Sequence, residues 1–440
     1  MQSWLERAAA ARPDVVAVET ADGVLTYAEL LHEARSAALD VQPGDRVAIV
    51  LPPGLEFAVA LHACLLRGAA AMPVDVRLAE RERGPQLREA GVVVDGPLGR
   101  GLGVGVEGGR AVEGPVGRGA AMGVEGGRAV EGPDWRAGRS VDSGDVALVV
   151  HTSGTTGVPR PVALTYGNVL ANALGCAVAL GHDRAERWLC PLPLSHVGGL
   201  MVLLRSAIAG TTAVLDVAGR EDVTIASLVP TQLARLLEAG VAPGSRLRVV
   251  MLGGAPADPT LLARAREAGW PVAPTYGLTQ ACSAVTVAEP GDTETSGIPL
   301  PGLRVAIAND GEILVEGPTV AGGGVLRTGD LGRLEGGRLV VVGRKSDTIV
   351  TGGENVAPTE VESVLLEHPA VAEAGVIGRP DAEWGEAITA FVVLRGEVSA
   401  EELRAFCAAR LAGYKVPKGI EVVDALPRNR SGKLLRRELA

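Results

Sequence analysis

The run Thr152-Ser153-Gly154-Thr155-Thr156-Gly157-Val158-Pro159-Arg160 concentrates phosphate-binding chemistry in nine residues. Its glycines expose backbone N–H groups, its hydroxyl side chains add donors, and Arg160 adds fixed positive charge, together a cradle for phosphate oxygens. The segment directly before it, DVALVV (145–150), reads as a strand, so the cradle sits at a strand end. The spacing is not G-x-x-x-x-G-K-[ST], which excludes a Walker loop. The plain alternative for such residues is a flexible Gly/Thr turn.

Three further positions stand out by residue type. Only four of the 42 basic residues are lysine (Lys345, Lys415, Lys418 and Lys433), so a lysine is the unusual choice in this chain. Lys433 reads on its own as a solvated charge, although a single ammonium can bridge a carboxylate and a phosphate oxygen where a rigid guanidinium fork fits less well. Arg205 lies between Met201–Leu204 and Ala207–Ile208, and an arginine in so apolar a stretch needs an anionic partner. That partner is either a structural acid or a substrate. His196, before Gly198-Gly199, reads either as a satisfied core histidine or as pocket lining.

The chain that positions these residues is 440 residues long, enough for about three folding units. Hydrophobic residues make up 47% and charged residues 21%, the balance of a globular chain with a large core. A net charge of −10 argues against coating nucleic acid or an anionic membrane. The longest apolar runs, such as Phe57–Leu66, stop near ten residues and contain His62, too short to span a bilayer. Five scattered cysteines without a CxxC pair indicate neither a disulfide framework nor a zinc knuckle. The N-terminus has no basic start followed by an apolar core, so no secretory signal is expected and a reducing cytoplasm fits.

The elements alternate as in parallel α/β proteins. GDRVAIVLP (44–52) is a strand, and Glu56–Leu66 is the helix after it. VTIASLV (223–229) is another strand, followed by a helix from Pro230, and LRVVMLG (247–253) is a third. Asp258 as N-cap, Pro259 at the first position and Gly269 as terminator frame the next helix. Residues 96–139 are a Gly-rich loop in which GVEGGRAVEGP occurs twice, at 105–115 and 123–133, too few copies for a solenoid. A boundary falls at 343–347, followed by a compact α+β region. There Thr359 with Glu362, and Ser399 with Glu402, read as capping boxes, the second helix presenting Leu403, Phe406, Cys407 and Leu411 on one face and ending at Gly413.

The order of the motifs resembles the adenylate-forming superfamily of acyl-CoA synthetases, peptide-synthetase adenylation domains and luciferases. The carriers are LTYAEL (25–30), the 152–160 loop, Tyr276-Gly277-Leu278-Thr279, Thr328-Gly329-Asp330, Gly343-Arg344 and Gly432-Lys433, and the likeness covers nearly the whole chain. Within it, LTYGN (164–168), PLPLSHVGGLMVLLRSAIAG (191–210), YGLTQACSAVTV (276–287), the stretch 351–376 and GYKVPK (413–418) are most similar to the o-succinylbenzoate–CoA ligases of menaquinone biosynthesis.

The resemblance implies an α/β fold. A large N-terminal AMP-binding domain (1–343) would hold two α/β subdomains and a small β-barrel. A hinge at 344–347 with Lys345, Ser346 and Asp347 would lead to a mobile α+β domain (348–440). It implies ATP, Mg²⁺ and CoA as cofactor or co-substrates, a small carboxylic acid as partner, and a possible homodimer. Thr152, Ser153, Gly154, Thr155, Thr156, Gly157, Arg160, Gly254, Ala255, Pro256, Tyr276, Gly277, Thr279, Asp330 and Arg344 would bind ATP or AMP, Asp330 and Arg344 at the ribose. His196, Arg205, Gly277 and Ser283 would meet the acid, and Gly352, Gly353 and Glu354 would line the CoA path. Lys433 would offset charge as a carboxylate oxygen attacks the α-phosphate. For Gly253-Gly254-Ala255-Pro256 the residues alone indicate an ordinary strand-to-helix turn.

Two departures matter. Arg160 stands where relatives carry lysine, and Gln280 stands where they offer a glutamate to Mg²⁺, a poorer hard-cation ligand. The connection Val320–Leu326 is also short. A CoA ligase for another aryl or fatty acid remains an alternative reading, as does a weakly active or non-catalytic nucleotide-binding paralogue. A peptide-synthetase adenylation domain fits less well, because Ser195-His196 replaces the acid expected near 195 and no carrier domain follows.

Overall fold

The structure, a computed structural model, describes residues 3–96, 104–107, 110–111, 141–152, 160–215, 221–428 and 434–439. The chain divides into two compact units, Met1–Ala173 with Pro193–Asp216, and Leu174–Leu192 with Val217–Ala440.

The first unit is built on parallel strands Val92–Val94, Arg46–Ile49, Ala70–Pro73 and Val146–Thr152. Arg160–Thr165 extends one edge antiparallel, and a hairpin of Val104–Glu107 and Arg110–Ala111 extends the other. The expected strand 44–52 is shorter in the fold, because Pro52 and Pro53 offer no N–H to a ladder. The LTYAEL segment is a capped helix start: Thr26 and Glu29 form a capping box, and Tyr27 is fully buried with its hydroxyl donating to Thr211 O at 2.6 Å. The helix Leu55–Leu66 is apolar on almost every face and buried accordingly, which takes His62 into the core.

The second unit carries parallel strands Arg187–Leu189, Ile225–Leu228, Val249–Leu252 and Val272–Leu278, then antiparallel Ser283–Val287 and Ile298–Pro299. Asp258 caps the helix Pro259–Glu267 by accepting from Thr260 N at 3.0 Å, and Gly269 terminates it at φ +78°. Where a small barrel is expected, Arg304–Ile307, Glu312–Glu316, Val325–Glu335 and Arg338–Arg344 form an antiparallel meander. Its apolar face packs with Tyr276, Ala281 and Val285. Beyond it, Glu354–Val356, Ile349–Thr351, Gly385–Leu394 and Val371–Asp381 form a sheet, which Gly419–Val422 joins in parallel. The helices Pro358–Leu366 and Ala400–Ala408 cover its core.

Two local expectations need correction. Thr359 and Glu362 form no capping box: the helix Pro358–Leu366 is capped at Ala357, the Thr359 hydroxyl donates to Val342 O, and Glu362 accepts from Val376 N at 2.8 Å. Tertiary acceptors and donors outcompete the local pair. Ser399 and Glu402 do form theirs, but the helix ends at Ala408, not Gly413, with Arg410 and Leu411 both donating to Cys407 O. Most of the duplicated segment lies outside the described residues; of the strands Val104–Glu107 and Arg110–Ala111, all but Val104 belong to its first copy.

Burial drives the His62 imidazole down to about 4 from 6.5. The folded chain therefore keeps it neutral where the unfolded chain takes up a proton. This costs nothing above pH 6.5, and it draws the equilibrium towards the unfolded chain progressively as pH falls from 6.5 towards 4. Between pH 7 and pH 4.5 the wild-type chain is expected to lose ~2–3 kcal/mol more than a His62→Leu variant. Denaturant midpoints at the two pH values measure the difference.

Candidate active site

The expected nucleotide residues of the second unit gather at the carboxyl ends of adjacent parallel strands, the usual place for ligands in open α/β sheets. Gly253 and Gly254 follow Val249–Leu252, and Tyr276 and Gly277 end the neighbouring Val272–Leu278. A Cβ on Gly253 would stand 2.5 Å from Thr275 Oγ1, and Gly254 has φ +82°, so this turn accepts only glycine at both places. Ala255 and Pro256 complete it.

Asp330 is the centre of the arrangement. Its carboxylate is 5% exposed, and each oxygen has one partner: Arg344 Nε lies 2.9 Å from Oδ1, and the Tyr276 hydroxyl donates to Oδ2 at 2.9 Å. Asp330 and Arg344 face each other in strand register. Burial, and then the charge of Asp330, push the Tyr276 phenol far above its ordinary value, so it stays a donor. Each carboxylate oxygen keeps acceptor capacity for an incoming hydroxyl. Thr328 braces the turn, donating to Ile313 O at 2.8 Å and accepting from Asp330 N at 3.1 Å.

Gly277 and Ser283 meet by backbone. A Cβ on Gly277 would sit 2.1 Å from Ser283 O, and the ladder shifts register between Tyr276 and Gly277. Cys282 and Ser283 have φ of 56° and 87°, the two non-glycine positive values among the described residues, each costing on the order of 1–3 kcal/mol. Such strain persists where surrounding structure over-determines it. Thr279 O accepts from Cys282 N at 3.0 Å and Gln280 O accepts from Ala321 N at 2.8 Å, which holds this short turn to the segment after Val320. The Gln280 side chain offers an amide oxygen only. No group of three or more His, Cys, Asp or Glu among the described residues could hold a metal ion.

The residues expected as hinge form a 3-10 turn, Lys345–Asp347. Lys345 Nζ lies 2.7 Å from Asp310 Oδ2 and 3.4 Å from Glu312 Oε2. Glu312 also accepts from Gly329 N at 3.0 Å, and that bond, with Arg327 and Lys345, holds its carboxyl below the ordinary range. Sequence reasoning missed Asp310 and Glu312. For Glu312 the available signal was an acid at an inward register position directly before the apolar run Ile313–Val315. Gly352 and Gly353 form a two-residue hairpin turn with φ of +59° and +84°, the primed type that demands such residues. Gly352 N donates to Trp384 O at 2.8 Å, and a Cβ on Gly352 would press the Trp384 ring at 3.2 Å. Glu354 follows, exposed.

In the first unit Thr152 and Arg160 pair across the hairpin stem, Thr152 Oγ1 donating to Arg160 O at 3.3 Å. Ser153, Gly154, Thr155, Thr156 and Gly157 lie outside the described residues, as does Lys433. His196 is the N-cap of the helix Val197–Ala209 and keeps solvent contact. Enclosure by protein lowers its imidazole, Asp75 draws it up and Arg77 pushes it down again. Arg205 is 4% exposed, and its Nη2 donates to Asn172 Oδ1 at 2.7 Å, a neutral amide rather than a carboxylate. His196 and Arg205 are not brought together, being about two and a half helical turns apart along one helix, roughly 13 Å. Asn172, fully buried, is a partner that the sequence reading did not name.

Comparison with known proteins agrees in family and fold. The family profile of AMP-binding enzymes matches residues 5–323, and that of the AMP-binding enzyme C-terminal domain matches residues 360–433. The 2-succinylbenzoate–CoA ligase of Bacillus subtilis (strain 168) is 38% identical, over 99% of this chain and 97% of that protein. The o-succinylbenzoate CoA synthetase (MenE) of Bacillus subtilis, solved with the acyl-adenylate intermediate OSB-AMP, aligns with a TM-score of 0.85 at 35% identity, covering 100% of this chain and 98% of that one. The same enzyme solved with ATP and magnesium ion aligns with a TM-score of 0.84 at 35% identity, covering 99% of both. The architecture is thus a mixed α/β AMP-binding domain followed by a small C-terminal domain. On its motifs, its fold and these matches, the chain belongs to the AMP-binding enzyme family.

Proposed function

We propose that this chain is an ATP-dependent carboxylate–CoA ligase that works through an acyl-adenylate, with o-succinylbenzoate as its acid. The observation that carries the reading is the Tyr276–Asp330–Arg344 cluster: a buried, doubly braced carboxylate at the strand ends, fitted to accept the two hydroxyls of a ribose. The first half-reaction takes the acid and Mg–ATP. A carboxylate oxygen attacks the α-phosphorus, the bond to the β-phosphate bridge breaks, and pyrophosphate leaves. In the second, the CoA thiol attacks the acyl carbonyl, gives up its proton, and AMP leaves.

In this reading residues 1–343 form the AMP-binding body, 344–347 the hinge and 348–440 the mobile domain. The 152–160 loop holds the phosphates, Gly254–Pro256 and Tyr276–Thr279 flank the nucleotide, and Lys433 neutralises charge during adenylation. Rotation about the hinge would exchange Lys433 for Gly352-Gly353-Glu354, which line the pantetheine path. Arg205 takes the carboxylate that is not activated, as a guanidinium suits a second carboxylate in an apolar stretch. His196, Gly277 and Ser283 are the other residues proposed to meet the acid. The same reading puts the protein in the cytoplasm, with a homodimer as its candidate assembly. A second reading, a nucleotide-binding protein without turnover, is favoured by one residue, Gln280.

With Mg–ATP and o-succinylbenzoate the purified protein is expected to release pyrophosphate, and with CoA to form the thioester. Tight ATP binding with no pyrophosphate from any acid would favour the second reading. Arg205→Leu is expected to raise KM for o-succinylbenzoate at least tenfold while leaving 4-oxo-4-phenylbutanoate, which lacks the ring carboxylate, within about twofold; equal effects on both acids would remove Arg205 from the pocket. Gln280→Glu is expected to lower the Mg²⁺ concentration for half-maximal rate severalfold, read by magnesium titration of pyrophosphate release.

A further inference from the structure

The segment Leu434–Leu439 is tied to the body of the C-terminal sheet at several points. Leu434 bridges Arg428, and Leu435 N donates to Pro427 O at 2.9 Å. Leu434 and Leu439 close over Gly375, where a Cβ would stand 3.1 Å from each. Arg428 reaches Glu373 at 2.7 Å. Between these anchors lies Arg436. Its Nη2 donates to Glu362 Oε1 at 2.8 Å and Oε2 at 2.7 Å, and its Nη1 lies 3.4 Å from Asp347 Oδ2.

The three partners are not equivalent. Glu362 sits on the helix Pro358–Leu366, is buried, and takes a backbone N–H from Val376 as well. A buried carboxylate left without its cation is strongly disfavoured, so the Glu362 contact is the fixed half of the clamp. Asp347 belongs to the 3-10 turn expected as hinge, and its contact is long and partly exposed, the weaker half. Arg436 is three residues after Lys433 in the chain.

We propose that Arg436 is a positioning residue for the adenylation half-reaction: it fixes the stem from which the chain runs to Lys433, and through Asp347 it ties that stem to the hinge turn. The inference rests on the ligase reading, in which Lys433 serves the first half-reaction and not the second. An ordinary structural ion pair would hold the tail without discriminating between the two.

The test separates the half-reactions. ATP–pyrophosphate exchange with o-succinylbenzoate reads adenylation, and thioester formation from supplied acyl-adenylate and CoA reads the second step. Arg436→Gln is expected to slow exchange at least tenfold and leave the second step within about twofold. Asp347→Asn acts in the same direction but less. The double variant Arg436→Gln/Glu362→Gln keeps the buried pair neutral and is expected to show the same split, which excludes misfolding as its cause. Digestion with a lysine-specific protease adds a readout without turnover, since only Lys345, Lys415, Lys418 and Lys433 can be cut. Cleavage after Lys433 is expected to accelerate severalfold in Arg436→Gln while the other three sites keep their rates. Equal loss in both half-reactions, or no change in either, would overturn the proposal. If the wild-type protein shows no exchange with any acid, the ligase reading fails on its own account, and unchanged cleavage after Lys433 then overturns the clamp as well.

Discussion

A buried carboxylate has to be paired, and in the second unit that requirement falls on Asp330. One oxygen is held by a guanidinium from the strand Arg338–Arg344 and the other by a phenol from Val272–Leu278. Three strands from two different sheets are thereby kept in relation by a single side chain. The arrangement also sets the proton state of Tyr276. Tyr276, pressed by burial and by the neighbouring charge, remains a hydroxyl, so Asp330 is an acceptor facing donors only. Glu312 repeats the principle one strand away, collecting the Gly329 N–H, Arg327 and Lys345.

Around this carboxylate the site is made as much of backbone as of side chains. Gly253, Gly254 and Gly277 each stand where a Cβ would collide or where φ is positive. Ser283 is driven into positive φ by the same close approach to Gly277. Glycine and strained positions thereby fix the N–H and C=O groups at these strand ends.

What the sequence made legible follows from range. Asp258 before Pro259, and Ser399 three residues before Glu402, are local devices completed by their own neighbours, and the fold contains them. Thr359 and Glu362 have the same spacing and fail, because Val342 O, Val376 N and Arg436 are better partners that no local window displays. Asp330 and Arg344 were readable as residue types within motifs; their pairing depends on strand register. Asn172 was not readable at all, since a buried polar group declares itself only when the partner across the fold is known, and Glu312 showed only as an acid at an inward strand position. The segment from Ser153 to Pro159, expected to bind phosphate, and Lys433 stood out in composition but lie outside the described residues.

The hairpin at the margin of the first unit has a bearing on solubility. Val92–Val94 would otherwise present a row of open backbone donors and acceptors to other chains. The strand Val104–Glu107 of the glycine-rich segment occupies that row, and among the described residues the ladder ends at the two-residue strand Arg110–Ala111. The strand Val104–Glu107 thus covers an edge that would otherwise be open to pairing with another chain, so a variant trimmed back to Val94 would leave that edge bare.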